Sequence, residues 1–149
     1  MSNFNFACRF EKLEDGTEIV RCRDLPELLS YSTNEMNEAN GEPIDNESLA
    51  KYAVLDAIAF RFGDRTAIPE ATSALPGEFV VELTLNQVAK ILLSNEMVFQ
   101  GISRAELARR TGLKLPEITR LLSINHPTKI ERIDAAMRVL GKRFTLLTI

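Results

Sequence analysis

One stretch constrains this chain more than any other: Leu107-Ala108, then Gly112-Leu113, then Ile118, with Ser103 ahead of it and Pro116 inside it. Ser103 followed by Glu106 is a capping-box signature, in which hydroxyl and carboxylate satisfy opposite orphan N–H groups. The short helix it opens keeps Leu107 and Ala108 inward and Arg109 and Arg110 outward. A small residue at Ala108 lets two helices cross closely. Gly112 supplies the positive φ that a tight turn requires, and Leu113 fills the apolar slot of that turn. Pro116 is admissible only in a first turn, so the next helix starts at about Leu115 or Pro116, with Ile118, Leu121 and Leu122 facing the core. These demands are independent of one another, and together they predict a helix-turn-helix within roughly Ile102 to Arg143.

The flanks agree. Thr84 and Gln87 form another capping-box pair, opening a helix that runs to about Gln100 and stops at Gly101. Thr128-Lys-Ile-Glu131 reads as a third box before a helix with Ile130, Ile133, Ala136, Met137 and Leu140 on its inner face, stopped at Gly141. The tail, Arg143-Phe-Thr-Leu-Leu-Thr-Ile149, reads as a strand. An apolar strand at the end of a helical bundle leaves an unpaired edge, so it is expected to pair elsewhere, with a dimer partner as one candidate edge.

The first half has a different period. Phe4, Phe6, Cys8 and Phe10 alternate as one buried strand face does. Glu14-Asp15-Gly16 supplies a hairpin turn, Glu18 to Cys22 the returning strand, and Leu28 to Ser32 a third short strand after Pro26. Residues Thr33 to Asn46 read as a polar loop. A helix capped by Asp45 or Asn46 follows, from about Glu47 to Phe62, with Leu49, Tyr52, Ala53, Leu55, Ala59 and Phe62 as its apolar stripe and Gly63 as its stop. Phe79-Val-Val-Glu-Leu83 is one more strand. The expected class is α+β: a β-β-β-α-β domain over 1–83, then an all-α helix-turn-helix domain with a C-terminal strand over 84–149.

The net charge of −3 conceals two unlike halves. Residues 1–100 carry 8 Lys/Arg against 17 Asp/Glu, a balance of −9; residues 101–149 carry 10 against 4, a balance of +6. The basic half suits a polyanion and the acidic half a different partner. No apolar run approaches the ~20 residues that span a bilayer, and MSNFNFACRF lacks the character of a secretory signal, so a cytoplasmic protein is expected. Cys8 and Cys22 read as small buried hydrophobes rather than a disulfide or metal site.

The stretch Ile102 to Phe144, and HPTKIERIDAAMRVLGKRF within it above all, resembles the C-terminal domain of HicB antitoxins. Generic Cro- and lambda-repressor-type domains usually lack the TKI segment. The resemblance extends through Ala67-Ile68-Pro69 and Phe79-Val-Val-Glu-Leu83, and Arg23-Asp-Leu-Pro-Glu27 resembles the family's short motif before its third strand. Two departures lie in the first half: Glu14-Asp15-Gly16-Thr17 replaces the family's Gly-Gly-Tyr turn, and Thr33–Asn46 is longer and more polar. The resemblance implies a partial ribonuclease-H-like fold for the β-β-β-α-β domain. It also implies a HicA-like, messenger-RNA-cleaving toxin as partner, and repression of the protein's own operon by a dimer, with tetramers known in the family. HicA-like toxins are basic, which an acidic first half complements.

On the helix-turn-helix template, the first residues of the second helix and one a turn later face base edges, here Leu115, Pro116 and Arg120. Arg120 is the strongest candidate, since a guanidinium grips guanine O6 and N7 in a bidentate pair. Ser103, Arg104, Lys114, Thr119, Asn125 and Lys129 lie where phosphates pass, although plain solvent exposure explains each as well. The sole histidine, His126, sits in an interhelical loop with no orienting partner and is not read as catalytic. Asp15, Asp24 and Glu27 lie around turns, unlike the converging carboxylates of a metal-dependent nuclease. No cofactor, metal or catalytic residue is expected. The alternative reading is a phage or prophage repressor without a toxin.

Overall fold

The computed structural model describes residues 3–149, which form two compact units. The first runs to Phe60 and includes Pro69–Leu83; the second consists of Arg61–Ile68 and Thr84–Ile149. Among the described residues, three strands and five helices make the fold α+β. Among the described residues no helix is long and apolar enough to cross a membrane.

In the first unit, β1 (Phe6–Lys12) and β2 (Glu18–Cys22) form an antiparallel hairpin with Cys8 opposite Cys22 and Lys12 opposite Glu18. The Leu13 N–H donates to Thr17 O at 2.7 Å, and the Asp15 carboxylate accepts the Thr17 N–H at 2.9 Å, closing the turn. β3 (Phe79–Val81) pairs with the other edge of β1, giving the order β2-β1-β3. Phe6 and Cys8 are buried as their alternation requires, and Ala7 between them is buried too, so the start of β1 is covered on both faces.

The expected third strand at Leu28–Ser32 is reduced to an isolated bridge between Ile19 and Ser32. The turn that ties the Leu28 N–H to Leu25 O diverts this segment. Contact with the outer edge of β2 is limited to Val20 N–H to Tyr31 O and Thr33 N–H to Glu18 O. The tyrosine hydroxyl of Tyr31 donates to the Asp56 carboxylate.

α1 (Asn46–Asp64) is capped by Asp45, whose carboxylate accepts the Ser48 N–H at 2.9 Å and the Ser48 hydroxyl at 2.8 Å. Those bonds hold the Asp45 carboxyl below the usual range. Leu49, Ala53 and Leu55 are buried, whereas Tyr52 and Ala59 of the expected stripe are exposed. The helix also outruns Gly63. Its end comes at Arg65, which takes φ 59° while the Thr66 N–H reaches back to Arg61 O at 3.0 Å.

The second unit contains α2 (Leu85–Gln100), α3 (Arg104–Thr111), α4 (Leu115–Leu121) and α5 (Ile130–Val139). Leu93, Met97, Leu107, Ile118, Ile133 and Met137 form its core, with Ala108 and Leu113 packed against it. α2 carries the full capping box: Thr84 Oγ1 accepts from Gln87 N–H at 3.2 Å and Gln87 Oε1 from Thr84 N–H at 2.9 Å. The other two boxes differ from expectation. Ser103 Oγ does accept the Glu106 N–H at 3.0 Å, but the Glu106 carboxylate turns to Arg109 and Arg110, because two guanidiniums outcompete one backbone amide. At α5 the cap is Lys129, with no side-chain bond, and Thr128 faces His126 O instead.

The C-terminal strand is absent too. Residues 143–149 have no regular structure, Phe144 alone packs on the core, and Leu146 and Leu147 stand 69% and 68% exposed. Within the single chain no described strand edge pairs with this segment, so a partner edge would have to come from elsewhere.

Candidate nucleic-acid interface

The short α3 and α4 owe their placement to their termini. Ser103 opens α3, and Gly112 closes it with φ 74°, its N–H bonded to Ala108 O. After the two residues Leu113 and Lys114 the chain re-enters a helix, with Pro116 in the first turn, where no intrahelical N–H is needed. The Glu117 carboxylate accepts the Lys114 N–H at 2.9 Å, which fixes the start of α4. Burial of Ile118 and Leu121 then decides the rest: Leu115, Pro116, Thr119 and Arg120 share the exposed side, with Lys114 at its head.

Five of the nine candidate residues therefore lie together. Leu115 is 57% exposed, so its apolar surface is offered to whatever lies against α4. The Thr119 hydroxyl donates to Leu115 O at 3.0 Å, which engages its only donor within the helix. Arg120 lines a cleft with Lys129, His126, Pro127 and Arg132, between the end of α4 and the start of α5. Arg132 is tethered to Glu117 at 3.7 Å. No side-chain ion pair joins Lys114, Arg120 or Lys129 to a carboxylate among the described residues, although Glu117 lines the same cleft. Asn125 is exposed in the α4–α5 loop.

Ser103 and Arg104 lie apart from that group, at the head of α3. Arg104 lines a second cleft with Arg65, Ser94 and Ile102, and Arg65 donates to Ile102 O at 3.4 Å. Of the three acidic residues at the sheet turns, Asp15 holds its own turn and Asp24 accepts the Thr72 N–H at 2.9 Å. Glu27 is exposed.

Two residues of the second unit matter more than the sequence suggested. Arg132 adds a third cation to the Arg120–Lys129 cleft. Lys90, on α2, is fully buried at 0% exposure. Its ammonium donates to the carbonyls of Arg120 at 3.0 Å, Ser123 at 2.8 Å and His126 at 2.5 Å. It thereby collects the acceptors that the end of α4 and the following loop leave unsatisfied. Burial pushes this ammonium down to about 8. A signal existed: Lys90 shares the helical face of Leu93 and Met97, where a lysine survives only if backbone oxygens receive it.

Residues 5–92 match a family model described as the HicB-like antitoxin of bacterial toxin-antitoxin systems. Over 147 residues, 99% of the chain and 98% of the relative, the chain is 36% identical to antitoxin HicB 2 of Photorhabdus laumondii. It is 33% identical to antitoxin HicB of Escherichia coli over 91% of the chain and 92% of that protein. With antitoxin HicB of Pseudomonas fluorescens it shares 31% identity over 89% of the chain and 86% of the relative.

Proposed function

The chain belongs to the HicB-like antitoxin family, and from that membership we propose that it neutralises a HicA-like, messenger-RNA-cleaving toxin and represses its own operon by binding operator DNA. In this reading the domain over 1–83 holds the toxin, and the domain over 84–149 binds DNA as a homodimer, with a tetramer as the next possible assembly. The protein acts in the cytoplasm, without catalysis, metal or cofactor. The observation that carries the DNA-binding part is the exposed side of α4, where Lys114 and Arg120 stand without an ion-pair partner beside Leu115, Pro116 and Thr119. The +6 balance of residues 101–149 supports it, since phosphate neutralisation supplies most of the non-specific affinity for DNA. The −9 balance of residues 1–100 supports a basic toxin as the other partner.

In this scheme Arg120 reads a guanine, Leu115 and Pro116 give apolar contact, and Ser103, Arg104, Lys114, Asn125 and Lys129 hold phosphates, joined by Thr119 only where its hydroxyl turns from Leu115 O to a phosphate. A short, basic neighbouring reading frame, if the gene has one, tests the toxin half: on co-expression growth should be restored and the two products should co-purify. Binding to the promoter fragment tests the other half. Arg120→Ala should cost about 1–3 kcal/mol on the operator and relax its sequence preference, while leaving growth rescue intact. An unchanged preference would show that α4 is not the reading helix.

A further inference from the structure

Cys8 and Cys22 face each other across β1 and β2, and the hairpin's own hydrogen bonds identify what kind of pair they are. Leu13 N–H donates to Thr17 O, so Leu13–Thr17 is a hydrogen-bonded pair. In an antiparallel ladder such pairs alternate with non-hydrogen-bonded ones. Counting back through Lys12–Glu18, Glu11–Ile19, Phe10–Val20 and Arg9–Arg21 makes Cys8–Cys22 a non-hydrogen-bonded pair. Two outward bonds of β2 agree with this parity: Val20 N–H points to Tyr31 O and Glu18 O accepts from Thr33, both away from β1. At such a position the Cα atoms lie about 4.5 Å apart with their side chains on one face. That spacing falls at the short end of the roughly 4.4–6.8 Å that disulfides span.

Both thiols are free and buried, Cys8 at 0% and Cys22 at 5% exposure. They are not equivalent. The backbone N–H groups of Asp24 and Leu25 lie against Cys22 in the turn that ends β2, and the two thiols are within hydrogen-bonding reach of each other. These donors favour a thiolate on Cys22, while Cys8 keeps its proton. The roles of attacking and resolving thiol are thus divided by position.

We propose that Cys8 and Cys22 are a redox-active dithiol that a small peroxide converts to a disulfide across the β1–β2 hairpin. The Cys22 thiolate attacks one oxygen of hydrogen peroxide. The O–O bond breaks, a sulfenic acid forms on Cys22, and the departing hydroxide is protonated to water. The Cys8 sulfur then attacks the Cys22 sulfur; the S–S bond forms, the S–O bond breaks, and the hydroxyl leaves as water with the Cys8 proton. Two thiols lose two electrons and peroxide gains them. A close-spaced cross-strand disulfide is of the readily reduced kind, so an excess of small-molecule thiol restores the pair, and the bond acts as a reversible lock on the hairpin.

The test uses the full chain under native conditions. Peroxide is added and quenched, the protein is denatured, and free thiols are alkylated and counted by mass spectrometry. The expected result is loss of both alkylation sites with the chain still monomeric on a non-reducing gel, and recovery of both after dithiothreitol. In Cys8→Ser the sulfenic acid on Cys22 should persist and be trapped by dimedone; in Cys22→Ser the remaining Cys8 should stay unlabelled. Wild-type protein that keeps both thiols, joins two chains, or oxidises to sulfinic acid without forming the internal bond would overturn the proposal, whatever the variants do.

Discussion

Replacing Lys90 by methionine should separate the stability of the second unit from the placement of α4. Methionine has similar length, so the main losses are the three bonds to Arg120, Ser123 and His126 carbonyls. Arg120 O and Ser123 O each keep a backbone donor, from Ser123 and His126 at 3.2 Å, so each lost bond is worth about 1 kcal/mol and the three about 3 kcal/mol. Against this stands the burial of the ammonium, which moves it from 10.5 to about 8 and costs roughly 3 kcal/mol. The two nearly cancel. Global stability, from urea unfolding followed by circular dichroism, should change by no more than about 1 kcal/mol. The end of α4 and the loop to Pro127 nonetheless lose their anchor, so operator affinity in fluorescence anisotropy should fall about tenfold, or ~1.4 kcal/mol. The pH profile supplies a separate check. Because the folded value lies below the unfolded one, the unfolded chain holds a proton that the folded chain releases between about 8 and 10.5. Wild-type stability should therefore rise relative to Lys90→Met as pH climbs through that window. A stability loss above about 3 kcal/mol would refute the cancellation, and unchanged operator affinity would refute the link to α4.

Lys114→Ala should weaken binding to all DNA sequences alike and flatten the salt dependence by about one unit of slope, read from affinities across a salt series. Gly112→Ala should destabilise the second unit by about 1 kcal/mol in urea, because a Cβ there meets no atom within 4 Å and the cost is the positive φ alone. Gly63→Ala, inside α1 and equally open, should instead stabilise by roughly 0.5–1 kcal/mol. The Glu106 carboxyl is held down to about 2 by Arg109 and Arg110, so its contribution is present above about pH 4.5 and is lost as pH falls towards 2. Glu106→Gln should remove that part of the acid profile, measured as the urea midpoint against pH.

The elements with their own punctuation were legible in the sequence. Thr84 with Gln87, Gly101, Ser103, Gly112 and Pro116 each act within a turn of themselves, and α2, α3 and α4 begin and end where those residues require. What failed depends on a distant partner. Leu28–Ser32 has strand-like composition, but a ladder needs a neighbouring edge in register, which composition does not encode. Glu106 fits a capping box by spacing, yet Arg109 and Arg110 compete for it at the same range. On α4 the exposed side followed directly from burying Ile118 and Leu121. Arg132 and Lys90 did not follow, because their roles depend on how α5 and α2 meet the end of α4.

The buried amide of Asn95 makes the second unit discontinuous in a practical sense. Its Oδ1 accepts the Ile68 N–H at 2.7 Å and its Nδ2 donates to Ile68 O at 2.9 Å, as a strand neighbour would. The segment Arg61–Ile68 is thus a component of the unit that begins again at Thr84. A gene cut once between Leu83 and Thr84 would yield a C-terminal fragment with a polar side chain facing an empty slot. Swapping this half between relatives, by recombination or by hand, would preserve the joint only if the incoming piece kept an asparagine at position 95. The other piece would need only to have no proline at position 68, since residue 68 contributes its backbone alone to the joint.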